Sequence, residues 1–353
     1  DIDVATSATP DQVEALFVGH TVAVGKAFGV VLVLRDGFSF DVATFRTDGA
    51  YVDGRHPSGV CFATPEGDAA RRDFTVNGLF CDPFSGVVRD EVGGVQDLAA
   101  RVIRAIGDPA ARFREDHLRM LRAVRFVSVL DFTLDPATQA AVAAHAAWLA
   151  RVSAERIASE MTRLLCESPR PSVGLNLLRE TGLLREFLPE VQALHGTQQP
   201  PRYHPEGDVW THTLMMLDRM PKERDATLAY AVLFHDIGKP PTTCIARDGD
   251  GSEIIRSPNH AAIGSEMAYG ILDRLRMPAE LRDTVAALVR RHMTFSELPR
   301  MRKPTLRRFM GAPTFKWDIA LHRLDAACSS GDFSVLEFAE EKLAEFASEP
   351  VLP

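Results

Sequence analysis

Asp1 and Asp3 stand in the opening stretch DIDVAT, one residue apart. Alternate residues of a strand share a face, so these two carboxylates leave one side while Ile2 turns to the core. Asp41 lies in a second alternating stretch, FSFDVATF, with Phe40 and Val42 turned opposite to it. Three carboxylates on one sheet face are costly unless a cation joins them. Mg²⁺ is the natural occupant, a hard ion that takes oxygen ligands and keeps positions open for phosphates. Two such ions can activate an attacking hydroxyl and steady a leaving pyrophosphate. The competing reading of Asp1 and Asp3 is a solvated acidic pair.

A second group lies in FREDHLRMLRAVRF, residues 113–126. The pattern predicts a helix with Asp116 and Arg119 one turn apart on one face. An acceptor beside a donor can offer a fixed pattern to a base edge. Arg122 and Arg125 continue that face at i+3 spacing, which suits a triphosphate. The alternative is an i,i+3 salt bridge within an exposed arginine stripe. GHTVAVGKA is not a P-loop: the spacing is one residue too long, and Lys26 precedes Ala27 rather than Ser or Thr.

The third group is made of imidazoles and carboxylates. His212, His235, Asp236, His260, His292 and Asp325 fall in the last 150 or so residues. A single histidine on a helix is ordinarily a core or surface residue. Grouped with carboxylates, these side chains suit a transition-metal or mixed divalent site. FHDIGKP ends an apolar helix on His-Asp, with Gly and Pro as stop signals. His204, in YHPEGD, precedes the first helix of this region and is a weaker candidate for substrate contact.

The elements that must carry these groups divide the 353 residues into three regions. Residues 1–90 read as mixed α/β, with VVLVL, the turn RDG and FSFDVATF forming a hairpin. Residues 91–200 read as helical, with Asp or Pro opening the periodic segments. Residues 201–353 follow the break GTQQPPRYHPEGD, read as helical again, and end in one more helix, EFAEEKLAEFASEP. No run of eighteen apolar residues exists, which excludes a membrane-spanning helix. Five cysteines lie far apart with no CxxC pair, which excludes a zinc ribbon and suggests a reducing, cytoplasmic compartment. The net charge of -8 argues against a wholly basic nucleic-acid surface, yet seven arginines fall between Arg101 and Arg125. A local cluster can hold phosphates in an acidic protein.

DIDVATSATP, FDVATFRTDGAYVDGRHP, RRDFTVNGLF and FREDHLRMLRAVRF resemble, in order, the motifs of class II tRNA nucleotidyltransferases, the bacterial CCA-adding enzymes and poly(A) polymerases. The resemblance runs over roughly the first 190 residues. It implies that Asp1 and Asp3 are the metal-binding DxD and Asp41 the third carboxylate. It implies that Arg72, Asp73 and Asn77 contact phosphate and ribose. Glu115, Asp116 and Arg119 match EDxxR, in which the Asp and Arg pair with the incoming CTP or ATP. Arg122 and Arg125 match its nucleotide-binding continuation, and RTDGAYVDGRHP the loop that helps switch from C to A addition. Two departures stand out. The Gly-Gly-x-Val-Arg-Asp segment expected before the DxD is absent from these residues, and Gly78 stands where Ala is usual. The C-terminal region resembles HD-domain phosphohydrolases: His212, His235, Asp236 and Asp325 match the H…HD…D signature, and His260 and His292 the additional ligands of two-metal members.

The expected fold is therefore α+β: an N-terminally truncated α/β nucleotidyltransferase head, an all-α neck and an all-α HD domain. The expected function is CCA addition to tRNA from CTP and ATP, with Mg²⁺ at the head and a divalent metal at the HD site. An A-adding enzyme or poly(A) polymerase is the alternative within the class, and an HD phosphohydrolase as the main activity is the alternative from another class. tRNA should be read by shape and by its single-stranded end, with a clear salt dependence.

Overall fold

A computed structural model describes residues 3–348 except 24, 50, 52, 53, 55–57, 248 and 250. Asp1 and most of the loop-like segment 50–57 therefore lie outside the described residues.

The head is built on a four-stranded sheet of order β1-β4-β3-β2. Its strands are β1 (Asp3–Thr6), β2 (Thr21–Val22), β3 (Val30–Arg35) and β4 (Phe38–Thr44), with α1 (Pro10–Leu16) between the first two. Thr9 and Gln12 form a capping box that starts α1. Val13 of α1 packs on Val31, Val33 and Val42, the buried alternate residues of one sheet face. The β3–β4 hairpin turns at Asp36 and Gly37, both with positive φ (52° and 81°). This is the turn geometry that RDG predicts. β1 pairs in parallel with β4.

Two small hairpins follow, β5 (Arg46–Asp48) with β6 (Val60–Phe62), and β7 (Leu79–Cys81) with β8 (Val88–Asp90), flanking α2 (Pro65–Ala70). Then come α3 (Gly94–Ala100), β9 (Val102–Ile103), α4 (Pro109–Glu115), α5 (Leu118–Leu130), β10 (Thr133–Leu134) and α6 (Pro136–His145). The described chain groups into two compact units, the first reaching Val127 and adding Phe132–Arg151. Residues 91–127 and 132–151, read as part of the neck from the sequence, thus fold with the head. The stitching is backbone: Thr75 N–H donates to Arg104 O and Ile106 N–H to Asp73 O. The neck expected to be all-α also holds a short parallel pair, β9 with β10.

The second unit, Ser128–Asp131 with Val152–Pro353, is mainly helical. It runs α7 (Ala154–Glu167), α8 (Pro171–Glu180), α9 (Leu183–Phe187), α10 (Pro189–Gln192), α11 (Val209–Asp218), α12 (Ala226–Phe234) and α13 (Lys239–Thr242). β11 (Cys244–Arg247) and β12 (Glu253–Arg256) form a hairpin, and α14 (His260–Arg274), α15 (Ala279–Arg291), α16 (Lys303–Met310), α17 (Phe315–Cys328) and α18 (Ser334–Ser348) complete it. The hairpin corrects the expectation of an all-α C-terminal domain: Ile245 pairs with Ile255, a β-branched pair that favours strands. α12, apolar nearly all round, is the buried axis, with Leu228 through Phe234 all inside.

Candidate functional sites

Asp3 and Asp41 are register partners on β1 and β4, so they share a sheet face opposite to the one packed on α1. Both are exposed. Their carboxylates are thus open to solvent, while the third expected member, Asp1, lies outside the described residues. What remains is an open pair of oxygen donors.

The arginine-rich motifs are positioned by Asp68, which sequence reasoning missed. It is buried in the first turn of α2 and accepts from Arg71 and Arg72 side chains and from Arg46 N–H. Arg71 and Arg72 follow it at i+3 and i+4, a spacing that is a legible signal. Arg72 Nη1 also donates to Asn77 O at 2.8 Å. Asp73 accepts from Asn77 Nδ2 (2.9 Å) and from Arg122 Nε (2.8 Å). Burial opposes ionisation of Asp73, but Arg122 and Asn77 prevail and hold its carboxyl below the usual range.

The FREDHLRMLRAVRF segment is not one helix. α4 ends at Glu115, Asp116 is extended (φ -142°, ψ 109°), and α5 begins at Leu118. The reason is local capping: Asp116 Oδ1 accepts from Leu118 N–H at 3.1 Å, a role that favours an extended backbone. Arg119 is internal, 9% exposed, and donates to Glu115 Oε2, Arg112 O and Arg71 O. Arg125 is 2% exposed, with its guanidinium 4.0 Å from the Phe126 ring centre. The arginine row is thus part of the packing rather than an exposed stripe. Beside it opens a cleft of about 490 Å³ lined by Asp48, Tyr51, Arg71, Arg112, Arg114 and Glu115.

In the second unit all six predicted residues meet. His212 lies in α11, His235 and Asp236 follow α12, His260 opens α14, His292 follows α15, and Asp325 lies in α17. They form two triads, His212–His235–Asp325 and Asp236–His260–His292, each with ligand-type atoms within 4.8 Å of one another. His212 Nε2 is 3.2 Å from Asp325 Oδ1. Asp236 Oδ2 is 3.1 Å from His235 Nε2, and its Oδ1 is 3.5 Å from His260 Nε2 and 3.7 Å from His292 Nε2.

The rings are aimed by their other nitrogen. Nδ1 of His235 faces Val232 O (2.8 Å), that of His260 faces Ser257 O (2.8 Å), and that of His292 faces Val289 O (2.7 Å). An acceptor at Nδ1 puts the neutral ring's proton there and leaves the Nε2 lone pair for the cluster. The buried Nε2 atoms of His212 and His235 face the carboxylates of Asp325 and Asp236 without a well-aligned hydrogen bond, which fits a cation among them.

Burial lowers His292 to about 4 and also lowers His260, so both stay neutral as ligands must. Burial acts against charge on His212 as well, but Asp325 and Glu206 outweigh it and raise that ring to about 9 in the absence of a cation, so a metal binding at Nε2 must displace a proton there. Burial opposes ionisation of Asp236 and Asp325, but His235 and Lys239 hold Asp236, and His212 and His235 hold Asp325, well below the carboxylate range. Lys239, another residue the sequence reading left out, places Nζ 2.7 Å from Asp236 Oδ2 and 2.6 Å from Gln199 Oε1. Its three-residue offset from Asp236 on a helical turn was the available signal. A cavity of about 520 Å³ opens at the cluster, lined among others by His204, Lys239, His260, Met293, His322 and Asp325.

Fold and sites together define a nucleotidyltransferase head followed by helical segments and a histidine–aspartate cluster. Residues 1–104 match the family described as "Poly A polymerase head domain", residues 131–194 "Probable RNA and SrmB- binding site of polymerase A", and residues 208–313 "HD domain". The chain thus carries a poly(A) polymerase head domain, a polymerase A RNA-binding segment and an HD domain, and its relatives are bacterial CCA-adding enzymes. It is 48% identical over 184 residues to the CCA-adding enzyme of Geobacillus thermodenitrificans, covering 52% of this chain and 45% of that one. It is 40% identical over 230 residues to the CCA-adding enzyme of Bacillus licheniformis, covering 63% and 57%. The chain thus spans about half the length of the curated relatives it matches. The crystal structure of the Bacillus stearothermophilus CCA-adding enzyme in complex with CTP superposes at TM-score 0.61 with 29% identity, over 100% of this chain and 80% of that one. A tRNA nucleotidyltransferase complexed with a primer tRNA and an incoming ATP analog shares the fold, at TM-score 0.63 and 19% identity, over 98% and 91%. No helix among the described residues is long and apolar enough to cross a membrane.

Proposed function

We propose that the protein transfers CMP and AMP from CTP and ATP to the tRNA 3′ hydroxyl, releasing pyrophosphate and so building or repairing the CCA end in the cytoplasm. The observation that carries this reading is the Asp3–Asp41 pair on an open sheet face, in one compact unit with the RRD and EDxxR motifs. Asp1, Asp3 and Asp41 offer only oxygen donors, which fits Mg²⁺. When bound there, that ion supplies positive charge for the attacking hydroxyl and the leaving pyrophosphate. Arg72, Asp73 and Asn77 hold phosphate and ribose, with Asp68 keeping Arg72 in place. Asp116 and Arg119 select the base, and Arg119 must trade its Glu115 partner to do so. Arg122 and Arg125, with Glu115, act by shaping that pocket.

The test is nucleotide incorporation into tRNA ending before CCA, after the first C and after CC, with CTP and ATP supplied singly and together. Ordered C, C, A addition supports the proposal. Addition of A alone, or of an A tract, assigns the protein instead to the A-adding enzymes or poly(A) polymerases. No incorporation with any end overturns both.

A second reading concerns the HD cluster. His212, His235, Asp236, His260, His292 and Asp325 bind divalent metal and serve phosphate-ester hydrolysis in the adjoining cavity. The converging Nε2 lone pairs support it. Hydrolysis of phosphate esters that survives His235→Ala and Asp236→Ala removes the cluster from consideration. If hydrolysis occurs without any nucleotide incorporation, the HD domain carries the main activity.

A further inference from the structure

Three of the cluster histidines have their Nδ1 held by a backbone carbonyl three residues earlier: Val232 for His235, Ser257 for His260, Val289 for His292. Those rings sit at helix ends. His212 is different. It lies inside α11, where preceding carbonyls are already engaged: Asp208 O accepts from His212 N–H, and Val209 O from the Thr213 hydroxyl. An acceptor for its Nδ1 must come from outside the helix. Glu206 provides it, with Oε1 at 2.6 Å.

The same oxygen lies 2.9 Å from Nδ1 of His204, and the two rings meet edge to face with centres 5.0 Å apart. Glu206 is buried, 5% exposed at its side chain, and its Oε2 has no hydrogen-bond partner. The segment that carries it is pinned on both sides. His204 N–H donates to Pro200 O, and Asp208 caps α11 at Thr211 N–H while accepting from Gly196 N–H. A carboxylate buried at this cost, with two imidazoles as its side-chain partners, has a directing role.

We infer that Glu206 is the positioning residue of the HD cluster: it fixes the Nδ1–H tautomer of His212, turning Nε2 to the metal, and it sets His204 at the cavity wall with Nε2 free to meet substrate. This rests on the reading that the cluster binds a divalent cation. His204 is then a wall residue and not a ligand, although it groups with Glu206 and His212 by distance.

The test uses the full chain and Co²⁺, followed by its visible absorption, which separates imidazole-bound from all-oxygen sites. Wild type should give an imidazole-type band that His235→Ala abolishes. Glu206→Gln should keep the fold by circular dichroism, weaken Co²⁺ binding about 10- to 100-fold and shift the band, with Glu206→Asp recovering part of the affinity. His204→Gln should leave affinity and band unchanged, because Glu206 still holds His212. Wild-type affinity and band in Glu206→Gln overturn the inference. So does a loss in His204→Gln matching that of His235→Ala, which makes His204 a ligand. That second arm decides the matter if Glu206→Gln does not fold. A wild-type chain with no band sensitive to His235→Ala removes the cation reading itself, a result distinct from either.

Discussion

Asp3 and Asp41 are paired across β1 and β4 in parallel register, so two carboxylates 38 positions apart leave the same sheet face side by side. Neither contributes to the core, which lies on the opposite face around Val31, Val33 and Val42. Their removal should therefore separate stability from activity. Asp41→Ala should leave the thermal midpoint within the range of ordinary surface substitutions, about 0.5 kcal/mol. Nucleotide incorporation should fall at least about a hundredfold, because several kcal/mol of charge stabilisation are lost. A melt and a single-turnover incorporation assay on the same preparation check both. Retained incorporation would remove Asp41 from the site.

Arg122 and Asp73 join α5 to the segment before β7, with Arg122 Nη2 2.7 Å from Asp73 Oδ2. Asp73 is buried and its pKa is lowered, chiefly by Arg122 acting against burial. A lowered carboxyl contributes stability that is fully present above the unfolded value of about 3.9 and is lost as pH falls through the folded one. Arg122→Gln removes the main cation and raises the folded value. The mutant's acid unfolding should then start at a higher pH than wild type. At neutral pH the loss should be roughly 3 kcal/mol, as for breaking a buried pair. Acid titration followed by near-ultraviolet circular dichroism measures the shift, and an unchanged acid midpoint would refute the pairing.

The sequence made the hairpin at Asp36–Gly37 legible because turn type and alternation agree there. It made the histidine cluster legible because its six members are chemically rare together. The break at Asp116 was hidden: hydrophobic periodicity runs on from α4 into α5, and a capping aspartate leaves no mark on it. Burial of Arg119 and Arg125 was hidden for a related reason, since i+3 spacing does not say which face meets another element. Glu206 was the hardest to see. Its role depends on His212 lying within the first turn of α11 rather than at a helix boundary, a fact of placement rather than of residue type.

The five cysteines are free and differ in access. Cys61, Cys81 and Cys244 are exposed, Cys328 is buried, and burial pushes the Cys166 thiol up to about 11. The thiolate is the reactive form, so Cys166 should resist alkylation well above neutral pH. Iodoacetamide at pH 8 followed by peptide mass mapping should label the three exposed cysteines first, with Cys166 and Cys328 modified only on unfolding. Early labelling of Cys166 would contradict its raised thiol pKa.

Gly238, in HDIGKP, first reads as a helix stop. Its φ is -83°, so no left-handed backbone explains the glycine. A Cβ there would stand 2.1 Å from His260 O and 2.7 Å from Gly264 N, both main-chain atoms of α14. Those atoms cannot swing aside as a side chain can, so the backbone carrying Asp236 and Lys239 must approach α14 without a Cβ between. Gly238→Ala should push the start of α14 away and carry His260 with it, parting the Asp236–His260–His292 triad. Overpacking of this kind costs about 1–3 kcal/mol, and the variant should bind divalent cation more weakly than wild type. Gly270→Ala, on the same α14 with nothing within 4 Å of its Cβ position, should bind as wild type does. Titration of Co²⁺ into both variants gives the comparison, and equal affinities would show that the close approach at Gly238 has no part in holding the triad.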